Sequence, residues 1–210
     1  PTPHIGLVRN AYNQALDQFA DIAAKLNQGN EIFSVLPNLL GQDGQRTYLV
    51  FAATTSESRS SGGLGGSLGS MTTNNGSFQM GDFYPNTEFE GADSEVYTDS
   101  DKAFFPLSFD IRDQEVDPDF NNVAKNIATI WQRSSHSTNV DGVMSIDPVF
   151  IQALVKLNGN VQIPDGPLLT GDNTAQFLLN DIYKDVDTAY QDEYFQYVAS
   201  NVIDATFKNL

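Results

Sequence analysis

Cysteine is absent from this 210-residue chain. That excludes disulfides, thiolate catalysis, iron–sulfur clusters and cysteine-ligated zinc together. Histidine is nearly absent as well: His4 and His136 are the whole supply, too few for a multi-histidine metal site within one chain. Positive charge is also scarce. Eleven Lys and Arg stand against 27 Asp and Glu, a formal net charge of −16 and a pI near 4.1. Phosphate backbones and anionic headgroups repel such a chain unless its few bases are clustered, so no nucleic-acid partner is expected. No apolar run approaches the ~20 residues of a membrane span, and the longest convincing one is Tyr48 to Ala53. The chain starts at Pro1 without a signal-like hydrophobic region and reads as a soluble segment. Any membrane relation is then expected through an anchor outside it.

What is present suffices for a folded core. Apolar residues make up 40% and aromatics 11% of the chain, which rules out global disorder. Residues 7–28 place Leu7, Ala11, Ala15, Leu16, Phe19, Ile22, Ala23 and Leu26 at helical spacing, and Ile32 to Leu40 add a second apolar group. Together they predict a helical lead-in over about 7–40. Thr47 to Thr54 is apolar on both parities, which suits a central strand buried on both faces. Ser60 to Gly81 holds no charge and seven of the sixteen glycines. Its Gly62–Gly66 run predicts a loop or a close backbone approach, and Asn74-Asn75-Gly76 predicts a hairpin between strands at 68–73 and 77–84.

Twelve acids face only Lys102 and Arg112 between Asp82 and Asp119, which predicts a solvated surface excursion. Regular structure is expected to return with a helix after Pro118-Asp119, striped by Phe120, Val123, Ile127, Ile130 and Trp131. A short strand follows at 142–146, then a helix with Asp147 as cap and Pro148 in its first turn, stopping at Gly159. A short strand at 160–163, a helix over 170–183 and a last helix over about 187–207 complete the chain, the last with Tyr190, Tyr194, Tyr197, Val198, Val202 and Phe207 on one side. Alternating helices and strands without internal repeats predict one α/β domain over 1–210, a central mixed sheet flanked by helices.

Motif chemistry adds little. The glycine cluster fails the GxGxxG register at Leu68, and no GK[ST] occurs. The spaced acids lack an EF-hand register, and the adjacent Ser135-His136 needs no catalytic reading, since a dyad is made by the fold and not by sequence neighbours. Arg59 stands apart. It follows the buried strand directly, and the carboxyl ends of strands are where open α/β sheets bind ligands. A phosphate held by two parallel hydrogen bonds and a salt bridge to one of the 27 acids are both open for it.

Taken in order, Gly41-Gln42-Asp43-Gly44, Tyr48-Leu49-Val50-Phe51, Glu57-Ser58-Arg59-Ser60-Ser61-Gly62-Gly63, Val116-Asp117-Pro118-Asp119-Phe120, Asp141-Gly142-Val143, Ile146-Asp147-Pro148 and Leu169-Thr170-Gly171 form a pattern over about residues 36–205. It resembles an uncharacterised domain-of-unknown-function family of envelope-associated proteins in Gram-positive bacteria, actinobacteria especially. That family is in turn similar to the LytR-CpsA-Psr phosphotransferases, which join lipid-linked glycopolymers to the cell wall. The resemblance sets Glu57-Ser58-Arg59 where those enzymes carry a post-strand Asp-x-Arg, and Ile111-Arg112-Asp113 at their Pro-Arg-Asp. It implies a LytR-CpsA-Psr-like fold in an extracytoplasmic, membrane-anchored protein that binds a polyprenyl-phosphate-linked glycopolymer. Arg59 and Arg112 would grip the phosphate, and Glu57 and Asp113 would hold a magnesium ion. Two departures bear on transfer: the later Arg-x-Arg is Leu179-Asn180-Asp181-Ile182-Tyr183 here, and the Arg-Ser-Asp-Thr is lost in the glycine loop. Transfer is left open, and the alternative is a non-catalytic envelope module that contacts protein or glycan.

Overall fold

The computed structural model describes residues 34–94, 96 and 110–208, with isolated positions 13, 99 and 103. The expected helix over 7–28 lies, but for residue 13, outside the described residues; its continuation is helical over 34–39. Strand β1 (Arg46–Ser58) is followed by β2 (Gly63–Asn74) and β3 (Ser77–Pro85). A 3-10 turn at Asn86–Phe89 and another at Ile111–Val116 precede α1 (Phe120–Arg133). Then come β4 (Gly142–Ile146), α2 (Pro148–Asn158), a small hairpin of β5 (Val161–Gln162) and β6 (Leu168–Leu169), a composite helix α3 and a long α4 (Thr188–Lys208). α3 starts at Thr174–Gln176, widens into a π-helical turn at Phe177–Asp181 and ends over Ile182–Asp185.

The main sheet has the order β3-β2-β1-β4. β1 pairs antiparallel with β2 and parallel with β4, so the sheet is mixed, as its alternation with helices predicts. The β2–β3 hairpin turns on Asn75 and Gly76, both at positive φ (48° and 83°), which a two-residue turn matched to strand twist requires. The Gly62–Gly66 run is mostly strand. Only 59–62 is loop, and the glycines of β2 are there for close approach: a Cβ at Gly65 would lie 2.0 Å from the Phe51 ring, and one at Gly63 2.2 Å from the Thr54 carbonyl.

β1 is buried on both faces from Tyr48 to Ala53, because each parity meets a different layer. Leu49 and Phe51 pack with Leu68, Phe89, Ile111 and the α1 stripe Val123, Ile127, Ile130 and Trp131. Tyr48, Val50 and Ala52 pack with α2, α3 and α4 on the opposite face. α1 is capped by Asp119, which accepts from the Asn121 amide, and α2 by Asp147, which accepts from Phe150 N–H at 2.7 Å. Both caps satisfy helix-start amides that have no partner inside the helix. α4 differs in detail from its expected stripe. Val198, Ala199, Val202 and Ile203 are buried, while Tyr190 and Tyr197 face solvent.

The acidic stretch is not uniformly solvated. Asp82 to Pro85 complete β3, Phe89 and Ile111 enter the core, and Asp93, Gln114, Glu115 and Asp117 are buried. The physical reason is that these acids are used as hydrogen-bond acceptors for backbone amides: Asp93 for Gly91 and Ile111, Asp117 for Asp119, and Glu115 for Gly63. Most of its middle, 95–109, lies outside the described residues.

Candidate functional site

β1 ends in an exposed Ser56-Glu57-Ser58 segment, and the chain turns over 59–62 with Arg59 N–H donating to the Gly62 carbonyl at 3.0 Å. The 3-10 turn Ile111–Val116 lies against this loop. Glu115 fastens the two together: its carbonyl accepts from Ser61 N–H and Oγ, and its fully buried Oε2 accepts from Gly63 N–H at 2.6 Å. No side chain fits at Gly62, where a Cβ would meet the Glu115 carboxylate at 2.0 Å. The other oxygen of Glu115 is enclosed without a hydrogen-bond partner, as is Oε1 of its neighbour Gln114.

This scaffold sets Arg59 against Asp113. Nε and Nη2 of Arg59 both donate to Asp113 Oδ1, at 3.3 and 3.1 Å, and Glu57 lies 3.9 Å away. Nη1 donates to the carbonyls of Glu57 and Ser58. Arg112, next to Asp113 in sequence, turns instead to Asp110, with Nε 2.9 Å from Oδ1. The hydrogen bonds and charge of Asp110 push the Arg112 guanidinium above its usual value, and the same side-chain bond holds the Asp110 carboxyl below the usual carboxylate range. Of the four expected site residues, Glu57, Arg59 and Asp113 thus meet in one cluster. Arg112 borders it with its guanidinium engaged elsewhere and its side chain 54% exposed.

Each arginine has an acid of its own, so the salt-bridge alternative for Arg59 is realised in this structure. Arg59 with Asp113 is the better sheltered pair, with side chains 21% and 20% exposed. Among the described residues no three His, Asp or Glu side chains gather to hold a metal. Glu57 and Asp113 are the two carboxylates beside Arg59, and magnesium is commonly held by one or two carboxylates completed by phosphate oxygens and water. Sequence reasoning missed Glu115. An acid inside an acid-rich run carries no burial signal, and the one hint was the neighbouring pair Gly62-Gly63, which leaves room for it.

Two cavities follow one another along the opposite face of β1. The first, about 210 Å3, lies beside Tyr48, Val50 and Met144 under Leu39, Phe150 and Leu154, and its open lining is wholly apolar. The second, about 70 Å3, begins at Ala52 and Thr54, nearer the carboxyl end of the strand. Neither is lined by Arg59, Arg112, Glu57 or Asp113. His136 belongs to neither. It stacks on Tyr84 (ring centroids 3.5 Å apart, planes at 15°) with Nε2 2.8 Å from Glu88, in the turn after α1. Its adjacent serine takes no part in these contacts, in keeping with a loop histidine.

This arrangement defines a mixed-sheet α/β domain with a guanidinium–carboxylate cluster where β1 runs out. The chain belongs to the family described as protein of unknown function (DUF4012), whose model matches residues 43–183, from the lead-in to β1 as far as α3. The domain-of-unknown-function part of the expected resemblance is thereby established. No curated protein matches the chain, and no solved structure does.

Proposed function

We propose that this domain binds a polyprenyl-phosphate-linked glycopolymer on the outer side of the cell membrane, as LytR-CpsA-Psr-like domains do. The observation that carries the reading is the order of surfaces along β1. A wholly apolar cavity beside Tyr48 and Val50 suits a hydrocarbon chain, and Arg59 follows where the strand ends. The carboxyl end of a strand is the usual ligand position in open α/β sheets. In so acidic a chain a pyrophosphate needs local positive charge, which Arg59 and Arg112 supply. Magnesium held by Glu57 and Asp113 would add to it and orient the phosphate. Binding requires Arg59 to exchange Asp113 for the phosphate.

The paired state of both arginines supports the second reading, a non-catalytic envelope module, because guanidinium groups already matched to acids add little net charge to a phosphate site. Thermal shift with a polyprenyl phosphate, with and without magnesium, separates the two. A ligand that binds only the folded state raises stability by RT ln(1 + [L]/Kd). The expected outcome is a higher melting temperature for the wild type, no shift for Arg59→Ala and a reduced one for Arg112→Ala. A wild type that does not shift leaves the interaction module as the reading.

A further inference from the structure

α2 is apolar on both sides. Ile151 and Val155 turn inward and are fully buried, while Val149 and Phe150 are half exposed and Leu157 is 80% exposed. The helix over 34–39 adds Val35 and Leu39, each about half exposed. Surface helices of globular domains ordinarily turn a polar face outward. These side chains are not scattered: Leu39 and Phe150 also line the larger, wholly apolar cavity, so they stand at its opening. The two segments share a second property. In a chain with 27 acids, none falls from Ser34 to Gln42 or from Pro148 to Pro164, and Lys156 is the one charged residue in either. Asp141, which borders Val35 and Leu39, is matched by Arg46 at 3.1 Å, and Asp147 is engaged with the Phe150 amide.

We infer that this face, the outer side of α2 with the helix over 34–39, rests on the lipid bilayer and opens the apolar cavity toward it. Three observations favour lipid over protein. The patch is built from helices, whose backbone groups are bonded within the helix, so it enters the membrane interface without orphaning an amide. The missing acids remove the repulsion that the remainder of the chain meets at a membrane, and Lys156 can extend along the apolar face to a headgroup phosphate. A protein cover would close the cavity at Leu39 and Phe150, and a second copy needs about 800 Å2 per partner, more than five partly exposed side chains provide. The inference deepens the reading proposed above and rests on it for the cavity's occupant: a polyprenyl chain passes from bilayer to cavity without crossing water.

A tethered form tests it, because the net charge of −16 keeps the free chain off a membrane. The chain is held by a terminal hexahistidine tag and a flexible glycine–serine linker on phosphatidylcholine vesicles that contain a nickel-chelating lipid, with no polyprenyl phosphate present. Trp131, the one tryptophan, is buried on the opposite face of the sheet and serves as the internal control. Leu157→Trp places a second reporter on the patch, at a position exposed enough to leave the fold intact. Its added emission is expected to shift to the blue on tethering and to fall at least about twofold when the acyl chains are brominated, while Trp131 in the wild type is unchanged. Val149→Trp should behave in the same way. Quenching of neither variant, or equal quenching of wild-type Trp131, overturns the inference. So does a blue emission of Leu157→Trp already present without vesicles and unmoved by them, which gives the face to another part of the chain. A dimer in sedimentation velocity that Leu157→Asp disperses overturns it too, and gives the face to a second copy. Thermal shift with polyprenyl phosphate is read separately: its absence while the patch is quenched removes the lipid ligand and leaves the bilayer contact standing.

Discussion

At the scale of single residues, this chain uses its acids first as structural acceptors. Asp147 shows the pattern in its simplest form: its carboxylate takes the Phe150 amide at the start of α2, and Pro148 fills the first turn, where a missing N–H costs nothing. Asp147→Ala should therefore cost about 1 kcal/mol in a denaturant melt, with no change in the response to polyprenyl phosphate. A lost ligand response at unchanged stability would move Asp147 into the site. Glu115 is the more demanding case. Fully buried, it holds Gly63 and Ser61 in place, and Arg59 departs from the same short loop. It fastens the loop that carries Arg59, and its hydrogen bonds are to Ser61 and Gly63.

Elements in this fold are tied at their ends by carboxylates whose charged form is favoured. The Thr47 amide and then Arg46 hold Asp141 below the usual carboxylate range, joining the approach to β4 to the start of β1. The Asn121 amide lowers Asp119 at the head of α1, and Arg112 lowers Asp110 at the head of the 3-10 turn. A carboxyl whose folded value lies below its unfolded value of about 3.9 stabilises the fold above that pH and loses the contribution as pH falls through the folded value. Stability should accordingly decline as the solution is acidified below about pH 4. Melting temperatures measured from pH 6 down to pH 3 check this, and Asp141→Asn should flatten part of the decline. Much of the ordinary net-charge repulsion fades over the same range, so the comparison of variant with wild type is the decisive readout.

For the molecule as a whole, charge governs association. No helix among the described residues is long and apolar enough to cross a membrane. With a net charge of −16 the chain should stay in the supernatant when spun with anionic vesicles at physiological salt. Sedimentation is expected only when the vesicles carry a polyprenyl phosphate, and pelleting without it would contradict the proposed mode of contact. The two faces of the sheet divide the work in this picture. The α1 face carries the loop-anchoring 3-10 turn with Asp113 and Glu115, and the α2–α4 face carries both cavities.

The local signals in the sequence determined most elements. The β1 run, the Asn75-Gly76 turn, the Phe120 to Trp131 stripe, the β4 strand and the Asp147-Pro148 start of α2 stand where spacing, capping and turn chemistry put them. Each of these depends on residues within a turn or two of one another, which is the range that sequence patterns report. The Glu57-Ser58-Arg59 cluster was legible as a place, because it follows a doubly buried strand. Its partners were not. That Asp113 takes Arg59, that Glu115 is buried against Gly63, and that Ala52, Ala53 and Gly66 leave a cavity under the π-turn of α3 are pairings across 50 or more residues or between layers. An acid looks the same in sequence whether water or a backbone amide satisfies it, and a small residue looks the same whether a helix fills its space or leaves it open. Only the packing of the layers decides which.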